Sequence, residues 1–215
     1  MSDDAPKGGT RYTDAQATWD KRYARDGYLF GTLPNAFLAG QAIRLNAGQR
    51  ALCVADGEGR NSVWLARQGL KVSAFDISPV GVEKARQLAD MQRVTVDYAI
   101  ADVATWAWPE AKFDVVAAIF VQFADPELRA FMFKAMLKAL KPGGLVLLQG
   151  YTPKQLEYKT GGPPQVEHLY TEAMLREAFA GCEILELRAH ESEIDEGSQH
   201  SGMSALIDLV TRKPA

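Results

Sequence analysis

From residue 50 onward, short apolar runs alternate with capped amphipathic segments. The runs are Ala51–Ala55, Lys71–Phe75, Val94–Tyr98, Phe113–Phe120 and Gly144–Gln149, and the intervening pattern predicts helices over Ser62–Gln68, Pro79–Met91 and Pro126–Leu140. Runs that are apolar almost throughout predict parallel strands covered on both faces. Ser78-Pro79 and Asp125-Pro126 each set a capping side chain before a proline at the first helical position. In the last of these helices Leu128, Phe131, Met132, Ala135, Met136, Ala139 and Leu140 form one apolar face. Lys134, Lys138 and Lys141 lie toward its C-terminal end, where the helix dipole favours cations. Strands and helices in strict alternation predict βαβ units with right-handed crossovers.

The two ends of the chain read differently. Met1–Arg11 is expected to be a flexible arm. Thr13 and Asp14 offer N-cap oxygens for a helix over Ala15–Arg25, stopped by Gly27, with Ala15, Trp19, Arg22 and Tyr23 on one stripe. A second helix is expected from Asn35 to about Asn46, before Gly48. Late in the chain, a Pro-, Gly- and Lys-bearing loop (Tyr151–Tyr170) leads to a helix capped by Thr171. Cys182–Ala189 and Met203–Thr211 then read as strands joined by the polar stretch His190–Ser201, and two strands without a helical crossover pair antiparallel. The expectation is an α/β fold: a doubly wound, mostly parallel seven-stranded sheet with an antiparallel C-terminal hairpin and an N-terminal helical cap. Residues 12–215 would form one domain, comprising a cap (12–48), a ligand-binding half (49–150) and a late loop with the C-terminal strands (151–215).

Composition narrows the function. A chain of 215 residues suits one domain. Lys+Arg 24 against Asp+Glu 27 gives a formal charge of −3, without the broad positive field that a nucleic-acid backbone requires. Two cysteines, Cys53 and Cys182, build neither a disulfide framework nor a zinc cluster, so no metal is expected. The longest apolar run, Val115–Val121, has seven residues, where a membrane helix needs ~20. Met1–Thr10 contains no apolar stretch of the kind a signal peptide carries, and a cytoplasmic location is expected.

An open parallel sheet binds ligands beyond the C-terminal ends of its strands. There the first strand runs into Ala55-Asp56-Gly57-Glu58-Gly59-Arg60-Asn61, whose glycines admit positive φ and close approach of a ligand. The helix that follows presents free N–H groups. Asp76, 17 residues after Gly59, closes the second strand beside Ile77 and Ser78. A carboxylate there can accept from both hydroxyls of a ribose, and Ser78 already fills the helix-capping role. Asp102, followed by Val103, stands beyond the third strand, where it can accept from an exocyclic adenine amine; Ile119 closes the fourth. A nucleoside with a polar tail fits these positions, and two cofactor classes qualify: a nicotinamide dinucleotide or S-adenosylmethionine. The dinucleotide fingerprint G-x-G-x-x-G/A has Ser62 at its last position. Arg60-Asn61 suits a methionine carboxylate, and with Asp102 and the antiparallel ending it favours the methyl donor.

The same segment resembles the first motif of class I S-adenosylmethionine-dependent methyltransferases, with Cys53 at the acidic position and Ala55 at the first glycine. Trp19-Asp20-Lys21-Arg22-Tyr23, Phe30-Gly31, Pro34-Asn35, Gly57 to Asn61 and Lys159-Thr160-Gly161-Gly162-Pro163 together resemble the tellurite-resistance and thiopurine-type branch. The resemblance implies a Rossmann-like fold, with Trp19, Tyr23 and Gly31 closing over S-adenosylmethionine, which leaves as S-adenosyl-L-homocysteine. It also implies a cytosolic enzyme acting on small, soft nucleophiles such as thiols or selenium and tellurium species. Gln122, Phe123, Tyr151 and Lys159 are candidate acceptor-pocket walls, and His168 and His200 are the histidines within reach; no catalytic base is assigned. Ile119-Phe120-Val121-Gln122 lacks the Asn/Asp-Pro-Pro-aromatic motif of nucleic-acid amino methyltransferases, and there is no Pro-Cys pair, so the acceptor is expected to be a small molecule. A nicotinamide-dependent oxidoreductase and a non-catalytic cofactor sensor stand as alternatives, and monomer and homodimer are both compatible.

Overall fold

The structure is a computed structural model that describes residues 11–197 and 199–215, with side chains from Ala15 onward. The strands are β1 (Arg50–Val54), β2 (Lys71–Asp76), β3 (Val96–Ile100), β4 (Phe113–Ile119), β5 (Leu140–Tyr151), β6 (Glu183–Asp195) and β7 (Ser201–Arg212). They form one sheet in the order β3-β2-β1-β4-β5-β7-β6. β1 to β5 pair in parallel, and β7 enters antiparallel between β5 and β6, as the absence of a helical crossover predicts. The helices are α1 (Arg11–Tyr23), α2 (Ala36–Gly40), α3 (Arg60–Arg67), α4 (Pro79–Met91), α5 (Pro126–Ala139), α6 (Gln155–Tyr158) and α7 (Glu172–Ala178). Strand alternation sends Leu52, Val54, Val116 and Leu148 to one face, against Met132, Met136 and Phe179 of the α5–α7 side. Ala51, Cys53, Val115 and Leu147 go to the other, against Phe37, Leu38 and Leu65 of the α2–α3 side. Both faces are apolar because both are covered, which is why the strands read as continuous runs.

The caps behave as their chemistry predicts. Asn35, Ser78, Asp125 and Thr171 each accept a backbone N–H at the start of α2, α4, α5 and α7. Three expectations need correction. α1 begins by Arg11, so Thr13 and Asp14 lie inside the helix rather than capping it, and Arg11 belongs to a helix, not an arm. Residues 1–10 lie outside the described residues. The helix expected from Asn35 to Asn46 is a short α2 continued by a 3-10 turn, Gln41–Arg44. The stretch His190–Ser201 is no long connection: β6 runs to Asp195 and β7 starts at Ser201. β6 is an edge strand whose side chains alternate in exposure, and its polar composition hides the extension.

The helical cap is clamped to the sheet by polar groups. α1 lies against α4, where Ser78 Oγ donates to Asp20 and Lys84 Nζ reaches the carbonyls of Tyr23 and Arg25 at 2.9 and 3.1 Å. Lys84 also meets Glu58 Oε1 at 2.6 Å, while Glu58 Oε2 accepts Leu29 N–H. Ordering the cap in this way completes one wall of a cleft.

Candidate functional site

The cleft holds about 1060 Å³ beyond the C-terminal ends of the strands. It opens over β1 and β4, adjacent strands between which the order of the sheet reverses, the usual place for a ligand in such sheets. Two non-glycine residues here have positive φ: Ala55 (φ 48) just after β1 and Phe120 (φ 55) just after β4, and both line the cleft. Strained backbone at adjacent strand ends is characteristic of a site whose surroundings impose the conformation.

The strand-end carboxylates come together as expected. Asp76 is buried, with Oδ2 accepting Gly57 N–H at 2.8 Å and Oδ1 accepting Ser78 N–H at 2.9 Å. The Ile77 N–H also acts on this carboxylate, which lines the cleft with acceptor capacity left for a ligand hydroxyl. Burial raises its pKa to about 6 despite those donors, and burial raises that of Asp56 to about 7. Asp56 Oδ1 accepts Ser62 N–H, while Oδ2 is buried without a partner. Asp102 lies two residues beyond β3 rather than four, because β3 extends to Ile100; its Oδ1 accepts Ala104 N–H at 2.8 Å. Ala55, Asp56, Gly57, Arg60, Asn61, Asp76, Ile77, Asp102, Val103 and Ile119 all line the cleft.

Trp19 and Tyr23 also line it, their rings stacked at 5.3 Å, with Phe30 alongside at 6.5 Å from each. Tyr23 is buried and its hydroxyl well above its ordinary pKa, through burial first and the nearby Asp76 and Glu58 charges second. A side chain on Gly57 would meet that hydroxyl at 2.7 Å, so this glycine is required by the cap as well as by the turn.

Three expected residues do other work. Gly59 (φ 90) lies outside the cleft lining: a Cβ there would fall 2.7 Å from Ala85 Cβ, so Gly59 allows α3 to approach α4. Ser78 caps α4 and holds Asp20 rather than lining the cleft. Gly31 (φ 71) forms a turn, its N–H bonded to Tyr28 O, next to Gly197. Of the expected acceptor-side walls, Gln122, Phe123, Tyr151, His168 and His200 line the cleft and Lys159 does not. Gln122 is fully engaged: Nε2 donates to the carbonyls of Tyr151 and His168, and Oε1 accepts Tyr151 N–H. His168 Nδ1 lies 3.1 Å from Gln122 O.

The main residue missed by the sequence reading is Glu196, at the tip of the β6–β7 hairpin. Its carboxylate takes Arg60 Nη2 at 2.7 Å, Asn35 Nδ2 at 2.9 Å and Ala36 N–H at 3.0 Å. Asn35 Nδ2 also donates to Gln149 Oε1, and Gln149 Nε2 to the buried Asp208. The adjoining Gly197 (φ 79) fits with its Cα so close to Phe30 that any Cβ would sit 2.5 Å from the Phe30 carbonyl carbon. Glu196 falls in the stretch His190–Ser201 that reads only as a polar connection, and nothing in the sequence indicates its partners. Phe30, Phe120 and Arg22 also line the cleft without having been singled out as pocket walls.

Residues 51–144 match a family described as "Methyltransferase domain". Phosphoethanolamine N-methyltransferase 1 of Zea mays is 29% identical over 159 residues, which is 71% of this chain and 30% of that protein. The chain spans less than half the length of the curated relatives it matches. Among solved structures, the N-methyltransferase NodS from Bradyrhizobium japonicum, in complex with S-adenosyl-L-homocysteine, superposes with a TM-score of 0.71 at 16% identity, covering 93% of this chain and 98% of that one. TehB from Haemophilus influenzae gives 0.67 at 18% identity, covering 92% and 66%. These likenesses show the fold: a Rossmann-like methyltransferase fold.

Proposed function

We propose that this chain is an S-adenosylmethionine-dependent methyltransferase acting on a small-molecule acceptor through a soft nucleophile, a thiol or a selenium or tellurium species. The observation that carries the cofactor reading is Asp76, a buried carboxylate at the end of β2 that lines the cleft and is held in place by backbone N–H groups of Gly57 and Ser78. The rest of the cleft fits the same group. Asp102 and Val103 offer an adenine edge and an apolar face, and Ile77 and Ile119 lie beside them. Arg60 Nη1 is buried without a partner and, with Asn61, suits the methionine carboxylate. Trp19 and Tyr23 present aromatic faces to a sulfonium, an attraction worth ~0.5–2 kcal/mol depending on desolvation. The domain match over 51–144 and the S-adenosylhomocysteine-bound neighbour support this reading over a nicotinamide cofactor.

Bound there, S-adenosylmethionine supplies a methyl carbon already activated for in-line displacement by its positive sulfur. The protein's contribution is therefore alignment and the exclusion of water, and positioning of this kind can supply up to ~7–11 kcal/mol. The ribose ligand Asp76 and the turn at Gly57 are tied to each other, so they act as one rigid element. Trp19, Tyr23 and Phe30 cover the cleft from the cap. A soft nucleophile needs no strong base, in keeping with a site where none is assigned. The soft-nucleophile reading rests on the resemblance of the Trp19–Tyr23, Gly57–Asn61 and Lys159–Pro163 motifs to the tellurite-resistance and thiopurine-type branch, and the TehB likeness is compatible with it. Calorimetric titration with S-adenosylhomocysteine, with NADH in parallel, tests the cofactor. Micromolar binding of the former alone is expected, and binding of NADH alone would overturn the reading. Transfer of a labelled methyl group to a thiol and chalcogen panel tests the acceptor.

A further inference from the structure

The cleft is divided electrically. On the β1–β3 side stand the carboxylates of Asp56, Asp76 and Asp102. The far rim adds Asp125, Glu127 and Glu167, where α5 begins and the chain turns toward α7. Beneath the cap the sign changes. The Arg22 guanidinium lies half-buried, 4.3 Å above the Trp19 ring and 5.8 Å from that of Phe30. It has no carboxylate partner among the described residues.

Beside it, His200 is enclosed by rings: Phe30 at 4.5 Å, Phe120 at 4.4 Å and Tyr151 at 5.8 Å between centroids. His200 Nδ1 and the Tyr151 hydroxyl are both buried without hydrogen-bond partners, in a structure whose other buried polar side chains are mostly paired. Buried polar atoms without partners call for an explanation, and a missing ligand is one. The charges that act on His200 are Arg60 and Arg22; with burial, which weighs most, they hold its pKa down to about 3. Its imidazole is neutral and flat; of the two cations that act on it, Arg60 is paired with Glu196 and Arg22 is not paired with a carboxylate among the described residues.

We propose that this part of the cleft is the acceptor subsite and that it selects a flat acceptor bearing a negative charge. The rings of Phe30, Phe120 and His200 receive the acceptor's plane, and Arg22 receives its anionic group. A partly desolvated guanidinium without a counter-ion gains most from an anion that presents two oxygens to its fork. A cationic acceptor would meet like charge from Arg22, and such juxtapositions select against wrong partners. The use of the subsite for methyl transfer rests on the reading above, whereas its preference for charge does not.

Three product-like probes of one shape separate the possibilities: 4-(methylthio)benzoate, 4-(methylthio)benzamide and 4-(methylthio)benzylamine. Each is titrated by calorimetry into the protein alone and into the protein loaded with S-adenosylhomocysteine, so that no turnover is needed. The carboxylate should bind roughly tenfold or more tightly than the amide, and the amine least well. Arg22→Met should bring the carboxylate-to-amide ratio close to one, and Arg22→Lys should retain most of the preference. A ratio near one in the native protein, or a ratio unchanged in Arg22→Met, overturns the proposal. Failure of S-adenosylhomocysteine to bind would sink the methyltransferase reading instead, and the titrations of the unloaded protein would still decide the charge preference.

Discussion

The two sides of the cleft are held together over very different distances along the chain. On the β1–β3 side the strand-end carboxylates are fixed by near neighbours: Asp102 by Ala104, two residues on, and Asp76 by Ser78, two residues on, and by Gly57, nineteen back. On the hairpin side the bonds span the molecule: Asn35 to Gln149 across 114 residues, Arg60 to Glu196 across 136, and Asn35 to Glu196 across 161. The first side is a property of strand ends and turns, repeated wherever a βα unit closes. The second exists only when cap, sheet and hairpin have met, so it is where one protein of this fold can differ from another.

The largest effect should come from removing the group that joins the two sides. Glu196→Ala leaves the buried Arg60 uncompensated and removes one of the two acceptors of the Asn35 amide; loss of one partner of a buried pair costs ~3–5 kcal/mol. Denaturant unfolding checks this, and a loss under about 1 kcal/mol would mean that the hairpin is held by its apolar contacts alone.

Asp76→Ala addresses the other side. Removing the acceptor for two ribose hydroxyls should weaken S-adenosylhomocysteine by ~1–3 kcal/mol, roughly 5- to 150-fold, in a calorimetric titration. Unchanged affinity would misplace the ribose.

The same carboxylates give the comparison a pH dependence. Asp56 and Asp76 titrate near 7 and 6 in the folded protein against 3.8 as the reference, so between about pH 4 and 7 the folded state binds more protons than the unfolded chain. Stability contributed by these groups is therefore greatest at low pH and falls as pH rises through that window. Asp56→Asn should flatten the dependence and stabilise the protein at pH 8 by ~1–2 kcal/mol, read from thermal melts at pH 5 and 8. Unaltered melts at both values would show that Asp56 is already ionised at no cost.

Trp19→Ala should have the smallest effect, lowering S-adenosylhomocysteine affinity by ~0.5–2 kcal/mol with the fold intact by circular dichroism. An unfolded variant would make the stacked Trp19–Tyr23 pair part of the core rather than a cover.

This contrast also explains what could be read from the sequence. Pro79–Met91 has the predicted ends because Ser78 and Pro79 specify the start within two residues. Asp125 and Thr171 announce their helices in the same local way. The strand-end positions Gly57, Asp76 and Asp102 are legible because turn chemistry and strand periodicity place them without tertiary information. The packing role of Gly59 was not legible because a glycine needed for helix packing looks like one needed for a ligand: both follow a strand, and the contact with Ala85 appears only in the fold. Glu196 was not seen as part of the site because a charged residue in a polar hairpin has the sequence signature of a solvated loop, and its partners lie more than a hundred residues away. Likewise β6 was cut short, since an edge strand with one partner keeps polar side chains.

The place of β7 in the sheet has a consequence for the order of events in folding. β7 lies between β5 and β6 but follows both in the chain, and β6 has β7 as its strand partner. The five parallel strands can therefore associate through their own crossovers while the β6–β7 ribbon forms as a separate local unit, hairpins closing in ~1–10 µs. Docking of that ribbon onto β5 is then one event that delivers Glu196 and His200 together to Arg60, Asn35 and the rings of Phe30 and Phe120. A species halted before that event would already possess the strand-end carboxylates, Arg22 and Arg60, and lack the Glu196 that pairs Arg60 and the His200 ring that packs on Phe30 and Phe120. In hydrogen-exchange language, ribbon and parallel sheet are two cooperative units, and the amides of 199–205 should open at lower free energy than those of β1 and β4.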